Sequence, residues 1–220
     1  MNPYLYLHED VYLNPGQADD YLPNLGSKWP FDPAHRFDLV GVFEQLRPFG
    51  QWPRAVNLWE VDWDRISHVF TEQFGAAAPP ETEHQDFAKW WLTSSGERWG
   101  GWDRFMRPGP GSPALRELTG PRRPCVVQQV VRLRHGALDD YLAWFGADVA
   151  AALEGAAWLP LLWLGALHDP RAIVYFAAES WHGLGELAQQ LPVPDPQWHA
   201  AATTAALRPW SESAFLQSNA

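Results

Sequence analysis

Val11-Tyr12-Leu13-Asn14-Pro15-Gly16-Gln17-Ala18-Asp19-Asp20-Tyr21-Leu22 returns later in the chain as Val131-Arg132-Leu133-Arg134-His135-Gly136-Ala137-Leu138-Asp139-Asp140-Tyr141-Leu142, with seven of twelve positions identical. An offset of 120 residues in a chain of 220 predicts duplication of a whole folding unit rather than a short solenoid period. Units at 1–120 and 121–220 follow, each the size of a small domain.

Working outward, alternation predicts a strand from Tyr4 to Leu13, with Leu5, Leu7, Val11 and Leu13 on one face, and another from Cys125 to Leu133. After the Gly136 turn, Leu138, Tyr141, Leu142, Phe145, Val149 and Leu153 recur at helical spacing. The matching helix of the first copy opens at Asp19-Asp20, and Pro23, Gly26 and Pro30 are expected to shorten or break it. Strands are then expected at Leu39 to Leu46, Ala55 to Val61, Leu159 to Leu167 and Ala172 to Ala178, paired around Pro48-Phe49-Gly50 and His168-Asp169-Pro170. Second helices open near Asp62-Trp63-Asp64 and Glu179-Ser180-Trp181, and last strands end at Met106-Arg107-Pro108 and Leu207-Arg208-Pro209. The order βαββαβ is the ferredoxin-like pattern, so the fold class is α+β.

Two such units in tandem resemble the dimeric α/β-barrel superfamily, here as a pseudo-dimer of antiparallel sheets within one chain. More narrowly, Tyr6-Leu7-His8-Glu9, the Pro15-Gly16 turn with Asp19 and Tyr21, Asn57-Leu58-Trp59-Glu60-Val61 and Pro108-Gly109-Pro110-Gly111-Ser112-Pro113-Ala114-Leu115 resemble bacterial NIPSNAP-family proteins. The superfamily resemblance implies an apolar pocket between sheet and helices with a few polar groups that bind and protonate a substrate. It includes cofactor-free monooxygenases, cyclases, lactone isomerases and haem enzymes; a haem version would take its axial ligand from His8, His84 or His168.

Composition narrows the partners. With 46% hydrophobic and 19% charged residues and no run near the ~20 apolar residues of a membrane span, the chain is expected to be a soluble globular protein without a membrane partner. The start lacks the features of a signal peptide and the one cysteine, Cys125, cannot form an internal disulfide, so a cytoplasmic location is expected. A net charge of −10 argues against nucleic acid, and fourteen tryptophans suit either core packing or the walls of a pocket for a small apolar molecule. The two halves pair within a monomer, or the chain forms a homodimer.

The copies differ in two ways. Gly16 and Gly136 are 120 residues apart, Arg54 and Arg171 117, and Arg107 and Arg208 101, so the first copy carries about sixteen extra residues within 76–102. That insert contains a helix-like run from Thr82 to Ser95 bearing His84, Trp90 and Trp91, a candidate lid. The second difference is polarity: His8-Glu9 match Gln128-Gln129, Asn57 matches Val174, and Glu60 matches Ala177. Buried titratable groups are costly unless satisfied or used, so a site is expected in the first copy.

The candidate acid/base groups are His8, Glu9, Glu60, His84 and Asp103; the candidate substrate-binding residues are Asn57, Trp59, Trp90, Trp91, Arg104 and Trp163. Alternation allows two constellations, His8 with Asn57 and Trp59 or Glu9 with Glu60, other pairings staying open because the phase between strands is not set. As ion pairs, Glu9 and Glu60 would take Arg104 or Arg54. No metal-ligand spacing and no phosphate-cradling glycine motif occurs. The expected function is therefore a small-molecule enzyme acting on an aromatic or terpenoid-like substrate without a nucleotide cofactor or metal, by isomerisation, cyclisation or oxygenation. The alternatives are a haem enzyme and a non-catalytic binding or assembly protein.

Overall fold

The computed structural model describes residues 2–28, 38–47, 52–66, 95–118, 123–190 and 199–209. Eight strands are β1 (Tyr4–Leu13), β2 (Asp38–Gln45), β3 (Arg54–Asp62), β4 (Arg98–Pro108), β5 (Cys125–Leu133), β6 (Leu159–Ala166), β7 (Arg171–Ala178) and β8 (His199–Pro209). They close into an antiparallel barrel in the order β1-β3-β2-β8-β5-β7-β6-β4. β1 lies between β3 and β4, and β5 between β7 and β8. Two shorter seams close the ring: β2 to β8 from Phe43 opposite Pro209 to Gln45 opposite Leu207, and β4 to β6 from Met106 opposite Ala166 to Pro108 opposite Leu164.

Side chains alternate between two environments along every strand. The interior holds one cluster that includes Tyr6, Phe43, Leu58, Met106, Val126, Leu162, Tyr175 and Leu207, drawn from both halves of the chain. Outside, helix α1 (Ala18–Lys28) covers β1 to β3 with Tyr21, Leu22 and Leu25. Helix α2 (Leu138–Trp144) continues through a π-helical stretch, Phe145–Val149, and covers β5 to β7 with Tyr141, Leu142, Phe145 and Val149. Helix α3 (Leu184–Gln190) adds Leu187 to that outer cluster. Among the described residues no helix is long and apolar enough to cross a membrane.

One expectation needs correction, and the stretch that holds the insert narrows. Helix α1 runs through Pro23 instead of breaking there. A proline in the second turn removes one backbone bond, and burial of Tyr21, Leu22 and Leu25 against the sheet outweighs that loss. Within the stretch 76–102 expected to hold the insert, Arg98 to Trp102 belong to β4. Gly100 and Gly101, at the end of that stretch, are strand residues opposite Tyr12 and Val11. His84, Trp90, Trp91 and most of the proposed lid helix lie outside the described residues.

Gly101 is required where it stands. Its φ is +138°, and a Cβ built on it would sit 2.0 Å from the Asp10 carbonyl oxygen, so no other residue lets β4 lie this close to β1. Gly101→Ala is expected to cost about 2–4 kcal/mol in a denaturant melt. Gly100→Ala, whose Cβ would meet only Tyr12 Cδ2 at 3.5 Å, should stay within about 1 kcal/mol. Equal losses for the two would refute this account of the strand approach.

Candidate functional site

The β1–β3 register decides which candidates meet. Glu9 stands opposite Asn57, His8 opposite Leu58 and Tyr6 opposite Glu60, and cross-strand partners share a face. Neither expected constellation therefore forms. Glu9, not His8, joins Asn57 and Trp59 on the outer face beneath α1, whereas His8 and Glu60 point into the barrel, toward its middle and one end.

On the outer face the Glu9 carboxyl accepts bonds from Trp59 Nε1 at 2.6 Å and Asn57 Nδ2 at 3.1 Å. Asn57 Nδ2 also donates to the Tyr21 hydroxyl at 2.8 Å, while Asn57 Oδ1 is buried without a partner. Asp103 is the cross-strand neighbour of Glu9 on β4. Burial, and next the Asp103 charge, push the Glu9 carboxyl up to about 7 against the pull of the Trp59 and Asn57 bonds. Burial likewise raises Asp103, with Arg98 and Arg104 opposing. Asp103 lines an open cleft of about 330 Å³ together with Ser95, Arg98, Gly100, Gly101 and Trp102. The carboxylate pair anticipated as Glu9 and Glu60 is thus Glu9 and Asp103, one arm buried and the other at a cleft.

Glu60 is occupied elsewhere. It accepts bonds from the Tyr6 hydroxyl at 2.6 Å, the Leu115 N–H at 2.8 Å and Arg116 Nε at 2.5 Å. Arg116, which also reaches Asp38 at 2.7 Å, takes the place expected for Arg104 or Arg54. These bonds leave Glu60 a satisfied buried ion pair.

The interior carries a second polar group. Arg54 makes a bidentate pair with Asp10 and donates to Gln45 Oε1 at 2.5 Å and Gln128 Oε1 at 2.8 Å. Gln128 Nε2 donates to the Tyr175 hydroxyl at 2.8 Å, and that hydroxyl lies 2.7 Å from His8 Nε2. Burial, followed by the Arg54 and Arg104 charges, holds the His8 pKa well below its ordinary value, so the ring is neutral. With Nε2 as acceptor the proton sits on Nδ1, which is buried without a partner. His8 stacks on Trp102 at 4.9 Å, and Arg104 lies over the same indole at 3.7 Å while bonding Asp169 at 2.8 Å. Trp163 is not near either group. It packs outside β6 against Phe145 and donates to the Pro110 carbonyl.

Arg54, expected beside Glu9 or Glu60, holds Asp10 instead, and Gln128 was noted only as the match of His8; Tyr21, Asp10 and Tyr175 are the members that sequence reasoning missed. Only Tyr21 carried a signal, its recurrence as Tyr141 in the repeat.

No family model matches the chain, and no curated protein matches it. Solved structures do. A protein of Lactobacillus acidophilus NCFM named as a candidate monooxygenase aligns with a TM-score of 0.57 and 8% identity, over 95% of this chain and 94% of that one. An anthrone oxidase-like protein aligns with a TM-score of 0.61 and 11% identity over 95% and 92%. A haem-binding protein of Thermus thermophilus aligns with a TM-score of 0.53 and 11% identity over 96% and 93%. The fold is that of the dimeric α/β barrels. Nothing in these comparisons supports the narrower NIPSNAP resemblance.

Of the three candidate axial ligands, His84 lies outside the described residues, and neither His8 nor His168 is placed to hold a haem. His8 spends Nε2 on Tyr175 and Gln128 and packs flat on Trp102, and His168 is exposed in the turn before β7. Among the described residues no group of three or more His, Cys, Asp or Glu side chains is placed to hold a metal ion.

The raised Glu9 carboxyl makes stability depend on pH. In the native state it keeps its proton up to about 7, against an ordinary 4.5, so this stabilisation is complete below about 4.5 and is lost as pH rises through 7. Glu9→Gln removes the loss. Its melting temperature should exceed the parent's by several degrees at pH 8 and converge with it near pH 4; parallel curves would show that Glu9 is not perturbed.

Proposed function

We propose that the chain is a small-molecule enzyme that moves a proton on a flat aromatic ketone or phenol without a cofactor, and that this proton transfer opens the substrate to dioxygen. The observation that carries the reading is the Glu9 carboxyl, buried against Asn57, Trp59 and Tyr21, brought near neutral pH and coupled to Asp103 at a cleft. Burial and the Asp103 charge let the Glu9 carboxyl gain and lose a proton near neutral pH, which suits a general base that must also return the proton. Asp103 faces the substrate, and Glu9 sets the charge of the pair from behind. The names of two structural neighbours, a candidate monooxygenase and an anthrone oxidase-like protein, support an oxygenation over an isomerisation.

Anthrone is the substrate to try first. Its methylene proton passes to the carboxylate pair, dioxygen adds at the carbanion carbon, the proton returns to give a hydroperoxide, and loss of water leaves anthraquinone. Anthrone plus dioxygen thus gives anthraquinone plus water, with dioxygen as the only oxidant.

Under the same reading the units 1–120 and 121–220 descend from one duplicated ancestor. Support comes from the matched turns at Gly16 and Gly136, with φ of 84° and 83°, and from the equivalent neighbours of β1 and β5. The buried free thiol of Cys125 supports a cytoplasmic setting.

Anthraquinone formation in air, followed by absorbance, should exceed the protein-free rate and stop without oxygen. Asp103→Asn and Glu9→Gln should each lower kcat by roughly a hundredfold, and Glu60→Gln should change the rate only through stability. No acceleration, or a fully active Asp103→Asn, would refute the proposal.

A further inference from the structure

The other side of the same strands holds a cavity that the proton-transfer reading does not use. Where Asp10 and Tyr12 reach the end of the barrel, an open space of about 610 Å³ is bounded by residues of both halves. This is the size of an ordinary small-molecule site. Three arginines line it, Arg54, Arg132 and Arg171, and among its described lining residues the only carboxylate is Asp10. In a chain of net charge −10 this is a local inversion of sign.

The cations are unequally compensated. Arg54 is neutralised by its bidentate pair with Asp10. The carboxylate of Asp169 is 3.9 Å from Arg171, and the oxygen it offers is already bonded to Arg104 at 2.8 Å. Burial, then the Arg104 charge, pull the Arg171 guanidinium below its ordinary value, and Arg132 adds to the repulsion. Close by, Arg104 Nη1 is buried without a partner. The rest of the wall combines polar side chains, Gln45, Gln128, Thr203 and Thr204, with an apolar strip of Val130, Ala202, Ala205 and the indole of Trp102, whose ring centre is 5.7 Å from the Arg171 guanidinium. Cations beside an apolar strip fit a ligand with a charged head and a flat body.

We propose that the barrel mouth binds a small aromatic carboxylate, its carboxylate between Arg171 and Arg132 and its ring along Val130, Ala205 and Trp102. The site lies across the sheet from Glu9 and is independent of the catalytic reading.

Calorimetric titration of the whole chain at low salt with 2-naphthoate, and with its neutral analogue 2-naphthylmethanol, tests this. The acid should bind roughly tenfold or more tighter than the alcohol, and added salt should narrow the gap. Arg171→Glu should weaken the acid by roughly tenfold or more while leaving the alcohol unchanged. Should that variant fold poorly, Arg132→Gln, at an exposed position, should cost roughly threefold or more. Glu9→Gln should leave naphthoate affinity untouched. Equal affinity for acid and alcohol, no effect of either arginine substitution in a folded variant, or loss of binding in Glu9→Gln would each overturn the assignment.

Discussion

A guanidinium inside a barrel must find acceptors, and the need to satisfy Arg54 constrains much of the structure. With 8% of its surface exposed, it draws on Asp10 from β1, Gln45 from β2 and Gln128 from β5, so three strands besides its own are held at one point. Burial pushes the Asp10 carboxyl up, and the Arg54 bond and charge oppose that. Removing either partner strands a charge in a low-dielectric interior, a loss of about 3–5 kcal/mol for buried pairs. Through Gln128 the same network reaches His8 and Tyr175, and so it joins the halves where the β2–β8 and β4–β6 seams are short.

His8 and Glu9 are chain neighbours with opposite fates. Alternation sends one into the barrel and the other under α1, and in both places burial favours the neutral form. For the histidine this means losing its proton and for the glutamate keeping it. A single strand thereby presents a neutral ring to an arginine-rich interior and a protonatable acid to an aromatic outer layer. The two faces are chemically separate although a single residue step divides them along the backbone.

The strands were legible as apolar or alternating runs bounded by breakers: Tyr4–Leu13 and Cys125–Leu133 agree with expectation residue for residue, and β3 and β7 differ by one residue at their ends. The inequality of the halves was legible too, since Glu9 and Asn57 sit where Gln129 and Val174 lie in an outer layer packed by Tyr141 and Phe176. What escaped was phase. Whether Asn57 faces Glu9 or His8 depends on a one-residue shift between strands separated by about forty residues, and no local pattern encodes that. Partners brought in from loops, such as Arg116 to Glu60, were invisible for the same reason. Trp163 looked like a pocket wall because its residue type suits one, but it fills the groove between β6 and the π-helical turn.

Closure has a consequence for how such a chain can change. Every strand has a neighbour on both sides, although the β2–β8 and β4–β6 seams pair over only three positions each and leave the rest of those edges open. The link from β3 to β4 occupies 63–97 and that from β7 to β8 only 179–198, yet both deliver their strands to equivalent places beside β1 and β5. Pairing in the ring is thus indifferent to linker length, since closing a longer loop adds little entropy cost. Selection is free to lengthen, shorten or replace the segment beside the Asp103 cleft while the scaffold keeps its stability, which separates the evolution of specificity from that of folding.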